Sequence, residues 1–230
     1  VSETPVAGWA TTTSSNPSAI EVSGGSDVTV TFTNTAVGNI IIKKVTNPSG
    51  SPQSFTFTPT WGSPFTLTDG EQNDSGPLPV GTYSVVETPV AGWITTTSGG
   101  DPANIVVTQN ATTTLTFTNT QEGVIIVTKV VVPSTAPQTF TFTPSWGAPF
   151  TLANGQSNNS GLLVPGNYSV IETPVPGWTV VTSQDPENIV LGAGQTITIV
   201  FTNSGNSNWF RLQRVVVLVG RDPWLPVTGS

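Results

Sequence analysis

One pattern is written into this chain nearly three times, at a spacing of about 85 residues, and it puts a lysine, a glutamate and an asparagine where apolar side chains belong. The fullest copy runs GNIIIKKVTNPSGSPQSFTFTPTWGSPFTLTDG, then SGPLPVGTYSVVETPVAGW, then NIVVTQNATTTLTFTNT. A second begins at Gly123 (GVIIVTKVVVPSTAPQTFTFTPSWGAPFTL) and ends in IVFTNS. Lys44, Glu87 and Asn119 of the first become Lys129, Glu172 and Asn203 of the second. Such a period implies tandem domains, each small enough to have a single core.

Alternation with period two recurs through each copy, and no helical pattern competes with it. Strands are expected near 39–46, 54–58, 64–67, 82–87, 92–97, 103–108 and 112–118, separated by Asn-Pro-Ser-Gly, Asp-Gly, Pro-Val-Gly and Gly-Gly-Asp-Pro turns. Seven short strands per copy give an all-β chain of tandem Ig-like β-sandwiches. Residues 36–120 and 121–204 are complete copies. Residues 1–35 match 85–120 and so read as the C-terminal half of a repeat. The tail, 205–230, opens a further one, with NWFRLQRVVV laid over GVIIVTKVVV and Arg214 where the lysines stand.

Strand parity assigns each polar residue to a face. Lys44 continues Ile40 and Ile42; Lys129 continues Ile125 and Val127. Glu87 follows Tyr83 and Val85, and Glu172 follows Tyr168 and Val170. Asn119 and Asn203 follow Leu115/Phe117 and Ile199/Phe201. All six therefore face the core, where a charge is costly unless paired or neutralised. Burial makes a lysine give up its proton and a glutamate keep one. A neutral amine is a nucleophile, and a protonated carboxyl can polarise an asparagine carbonyl. Attack with loss of ammonia would leave a Lys–Asn amide, the glutamate shuttling protons. The competing reading is a buried Lys–Glu ion pair with an asparagine hydrogen bond, which does not require an inward asparagine on the last strand.

The run I-x-I-x-K, L-x-P-G-x-Y-S-V-x-E-T-P-x-x-G-W and T-x-T-F-x-N resembles the prealbumin-like B-type domains of Gram-positive collagen adhesins and SpaA-type pilins. The resemblance covers roughly 36–204, and 1–35 in part. It implies intramolecular isopeptide bonds Lys44–Asn119 and Lys129–Asn203, promoted by Glu87 and Glu172. Glu3 and Asn34 have no lysine ahead of them, and the delocalised guanidinium of Arg214 cannot act as the amine. These three residues are expected at a non-covalent joint between subunits, where the tail of one chain adds a strand to the half-repeat of another.

Composition narrows the rest. With no Cys, Met or His, disulfides, thiol catalysis and the usual zinc ligands are excluded, and no cofactor is expected. The net charge of −7 leaves no basic stripe for nucleic acid, and no run is apolar enough to span a membrane. The Asp69-Gly70-Glu71 loop is a weak calcium candidate, because the second copy reads Asn154-Gly155-Gln156. Leu225–Gly229 reads like a sorting signal, but the alignment lays it over a strand. The repeated tryptophans are expected to pack on the core edge. No constellation converges on an external substrate, so an enzyme is not expected. The chain reads as an extracellular or cell-surface structural protein, a stalk or filament subunit polymerising head to tail. The alternatives are the stalk of an adhesin that binds a cell-surface or host ligand elsewhere, and an excerpt of a longer repeat protein.

Overall fold

The computed structural model describes residues 1–205, and it divides into two compact units, Val1–Glu122 and a second opening at Gly123. No helix forms among the described residues, and so none is long and apolar enough to cross a membrane. The first unit holds β1 (Trp9–Thr13), β2 (Phe32–Asn47), β3 (Phe55–Pro59), β4 (Phe65–Leu67), β5 (Gln72–Asp74), β6 (Leu78–Pro79), β7 (Gly81–Tyr83), β8 (Val85–Glu87), β9 (Trp93–Ser98), β10 (Ile105–Val107) and β11 (Thr112–Gln121). The second holds β12 (Val124–Val132), β13 (Phe140–Pro144), β14 (Phe150–Leu152), β15 (Ser157–Asn159), β16 (Gly166–Tyr168), β17 (Val170–Glu172), β18 (Trp178–Thr182), β19 (Ile189–Leu191) and β20 (Thr196–Gly205).

In the first unit, β5, β2, β11 and β9 lie side by side, facing β4–β3–β8 and the β7–β10 pair. Between them sit Ile40, Ile42, Phe55, Phe57, Val85, Ile105, Leu115 and Phe117. The second unit repeats this with β15–β12–β20–β18, β14–β13–β17 and β16–β19 around Ile125, Val127, Phe140, Phe142, Val170, Ile199 and Phe201. Alternation along each strand explains the sandwich, since β3 and β13 both read buried-exposed-buried-exposed-buried over F-T-F-T-P.

The first and last strands of each repeat are parallel neighbours: β2 with β11, and β12 with β20. Their close approach at the start explains the glycine that opens each copy. A Cβ at Gly38 would lie 2.3 Å from the Thr108 carbonyl oxygen, and one at Gly123 would lie 2.7 Å from that of Gln195.

The strand pattern departs from expectation in three places. The boundary at 35/36 falls inside β2, because β1, β6 and then β5 with β11 follow one another as partners along one extended segment. The expected strand 82–87 is two, split at Ser84, since β7 pairs with β10 and β8 with β3. Gln72–Asp74, polar throughout, is a strand because it pairs with Ile41–Lys43, and the short Leu78–Pro79 strand pairs with Val37–Gly38. The repeat therefore contains more and shorter strands than seven.

Candidate functional site: a buried lysine, glutamate and asparagine

Lys43 and Lys44 are consecutive on β2, and the pleat separates their fates: Lys43 is exposed, while Lys44 is 1% exposed. The Lys44 amine donates to Asn119 Oδ1 at 2.5 Å, and also to the carbonyls of Phe117 (3.2 Å) and Val45 (3.1 Å). Asn119 Nδ2 in turn donates to Glu87 Oε1 at 2.6 Å. Lys44 sits opposite Phe117 in the parallel ladder, two residues before Asn119, so its long side chain reaches forward along the strand.

The second unit is arranged in the same way. Lys129 donates to Asn203 Oδ1 and, at 3.2 Å, to the Phe201 carbonyl. Asn203 Nδ2 donates to Glu172 Oε1 at 2.5 Å. Here Glu172 Oε2 also lies 3.3 Å from the Lys129 amine, so one carboxyl touches both the amine and the amide nitrogen. All six residues are buried, each glutamate being only 9% exposed.

Electrostatics follows from that burial. Loss of water pushes the Lys44 amine below its ordinary value, overriding the opposite pull of Glu87 and Asp69. Lys129 is lowered for the same reason, against Glu172. Burial raises the Glu87 carboxyl, against Lys44 and the Asn119 hydrogen bond. The second oxygens, Oε2 of Glu87 and Glu172, are buried without a hydrogen-bond partner; the close approach of Glu172 Oε2 to Lys129 lacks hydrogen-bond geometry. A carboxylate pays heavily for such an orphan oxygen, and a protonated carboxyl pays less. In the first site burial thus shifts both the Lys44 amine and the Glu87 carboxyl toward their neutral forms.

Two contributors are not evident from strand parity. Phe55 and Phe140 lie with their rings 4.2 Å from the Lys44 and Lys129 amines. An aromatic face attracts a cation, but here it also seals the amine from water; with burial dominant, the seal is the larger effect. Each ring stands edge-to-face with a repeat tryptophan, Trp93 or Trp178, at 5.4 Å. Thr95 is the second: it accepts from Asn119 Nδ2 at 3.1 Å, and Val180 occupies the position opposite Asn203. The F-T-F-T-P run of each copy is the signal for the first. The second copy's valine hides the other.

Glu3 and Asn34 also come together, with Asn34 Nδ2 donating to Glu3 Oε1 at 2.6 Å. Arg214 and Leu225–Gly229 lie outside the described residues. The expected packing of Trp61 and Trp146 is seen against Tyr83 and Tyr168, and Asp69 is engaged by the Thr46 and Gly50 amides as a loop clamp.

Residues 40–122 match the family described as "Domain of unknown function (DUF5979)". No curated protein matches the chain. Among solved structures, the Bacillus anthracis TIE protein is 21% identical over 77% of this chain and 36% of its own, with a TM-score of 0.38. The chain thus spans about a third of that protein's length. The major pilin T-13 of Streptococcus pyogenes serotype GAS131465 is 16% identical over 74% of this chain and 97% of its own (TM-score 0.33). A further Streptococcus pyogenes major pilin is 14% identical over 76% and 100% (TM-score 0.32). At these identities and scores the likenesses carry no functional conclusion, which rests on the residues themselves.

Proposed function

We propose that this chain is an extracellular structural protein, a stalk or filament segment whose β-sandwich repeats are each locked by a Lys–Asn amide bond. The observation that carries the reading is the convergence, twice, of a buried amine, a buried amide and a buried acid with an orphan oxygen. The proton balance is simple. Lys44 Nζ, as a free amine, attacks Asn119 Cγ; the Nζ–Cγ bond forms and the Cγ–Nδ2 bond breaks. Glu87 lends its proton to the amide, takes one from the attacking nitrogen and delivers one to Nδ2, which leaves as ammonia. Glu172 does the same for Lys129 and Asn203. Each site runs once, on its own chain, so no enzyme turnover is involved.

The location of the bond suits a load-bearing role. It would tie the first strand to the last, so tension would pass through an amide instead of peeling β2 from β11. Closing 75 residues would also restrict the unfolded chain, by about 4–5 kcal/mol on the loop-closure model used for disulfides. For a domain without cysteine that is a large share of the usual ~5–15 kcal/mol. Copies joined head to tail by strand addition would form a filament, and the same locks would serve a longer stalk.

Intact mass tests the reading. The folded chain should weigh less than its sequence by two ammonia molecules, and Glu87→Gln or Glu172→Gln should restore one each. An unmodified mass in folded protein would overturn it and leave two buried, non-covalent Lys–Asn–Glu networks.

A further inference from the structure

The two triads are alike in their residues and unlike in their bonding. In the second unit the Glu172 carboxyl reaches both reacting nitrogens, Asn203 Nδ2 through Oε1 at 2.5 Å and the Lys129 amine through Oε2 at 3.3 Å. In the first unit Glu87 is hydrogen-bonded to Asn119 Nδ2 only, and among the described residues the one lysine–carboxylate contact is that of Lys129 with Glu172. The Lys44 amine instead gives three hydrogen bonds, to the Val45 and Phe117 carbonyls and to Asn119 Oδ1, which uses every proton of an ammonium. Lys129 gives two, to the Phe201 carbonyl and to Asn203 Oδ1, as many as a neutral amine can make with its lone pair left free. Asp69 widens the difference. Its charge favours the ammonium form of Lys44, and the second unit has the neutral Asn154 in its place.

The amide nitrogens differ too. Thr95 and Val180 stand opposite the two asparagines, on the edge strands β9 and β18. The exposed Thr95 hydroxyl accepts a second Nδ2 hydrogen bond from Asn119 at 3.1 Å, whereas Asn203 Nδ2 donates to Glu172 alone. An N–H held by an acceptor feeds the nitrogen lone pair into the carbonyl, so the carbon becomes a poorer electrophile and the nitrogen a poorer proton acceptor.

Resting on the amide chemistry proposed above, we propose that the two locks close in a fixed order, Lys129–Asn203 before Lys44–Asn119, and that Thr95 is the residue that holds the first one back. At the second site Glu172 takes the Nζ proton on one oxygen and passes a proton to Nδ2 from the other, as the Nζ–Cγ bond forms, the Cγ–Nδ2 bond breaks and ammonia leaves. At the first site Lys44 must first give up one of its three hydrogen bonds, and Asn119 must break free of Thr95 before its nitrogen can be protonated and expelled. For a period the chain therefore holds one covalently closed unit and one that can still unfold.

The test starts from full-length chain recovered unlinked in denaturant after insoluble expression. It is diluted into neutral buffer, folding is followed by tryptophan fluorescence, and samples quenched over time are digested and the two linked peptides quantified separately. The Lys129–Asn203 peptide should appear first. Thr95→Val should speed the Lys44–Asn119 link by about tenfold, the rate equivalent of one ordinary hydrogen bond, without changing the other link. Thr95→Ser, which keeps the hydroxyl, should keep the delay, and Val180→Thr should slow the second site. Equal rates, or a leading first site, would overturn the order; an unchanged delay in Thr95→Val, or a lost one in Thr95→Ser, would overturn the role of Thr95. Either result leaves the amide chemistry standing, whereas folded chain with neither link would remove that chemistry and this proposal together.

Discussion

Lys44 and Glu87 show how burial reverses the ordinary value of a charge. Once the amine is replaced by methionine, Glu87 loses the cation that pulled its pKa down, and burial is opposed only by the Asn119 hydrogen bond. A carboxyl raised in the folded state stabilises fully below its ordinary 4.5 and loses that contribution as pH climbs through the folded value. Lys44→Met should therefore give a first unit whose resistance to denaturant falls as pH rises above 4.5 and through the raised value; Lys44→Met with Glu87→Gln should lack that slope. At neutral pH, Lys44→Met should also cost about 4–5 kcal/mol through the lost loop closure. Chemical denaturation followed by tryptophan fluorescence would show both effects. The Lys, Glu and Asn positions could be read from strand parity because a pleat has only two faces. Phe55 above the amine could not, since its approach comes from the opposite sheet and depends on packing that no local pattern encodes.

Between strands, the turn after β2 is held by a side chain that the sequence presents as a loose calcium motif. Asp69 Oδ1 accepts from the Thr46 amide and Oδ2 from the Gly50 amide, both at 2.6 Å. In the second unit Asn154 Oδ1 accepts from the Val131 amide at 2.8 Å, and its Nδ2 donates to the Ser134 carbonyl at 3.3 Å. An amide can replace the carboxylate because the partners are backbone groups, which explains why the charge is absent from the second copy. The Gly50 and Thr46 amides hold Asp69 below its ordinary 3.8. Its contribution is thus present at neutral pH and lost as acid takes the pH down through the depressed value. Asp69→Ala should lower the thermal midpoint and loosen exchange of the Thr46 and Gly50 amides, whereas Asp69→Asn should retain most of the effect. Equal loss in both variants would show that the clamp depends on charge and not on hydrogen bonding. The strands themselves were legible wherever they alternate. Gln72–Asp74 was not, because a polar edge strand is defined by its partner β2, and the split at Ser84 arises from a change of partner.

Across the whole chain, the consequence of two locks is mechanical. In each repeat the chain enters on the lysine strand and leaves on the asparagine strand, and these two are neighbours in the sheet. With amides in place, a pull on the two ends runs through Lys44–Asn119 and Lys129–Asn203 and bypasses the loops between. Those loops span 75 and 74 residues, each able to extend by roughly 250 Å at about 3.3–3.6 Å per residue. Stretched in a single-molecule experiment, the native chain should show neither extension at forces that unfold ordinary β-sandwiches. Asn119→Ala should release one such step, and Asn119→Ala with Asn203→Ala two. Two long steps in the unsubstituted chain would mean that its domains are held without covalent locks, and that the buried triads are non-covalent networks.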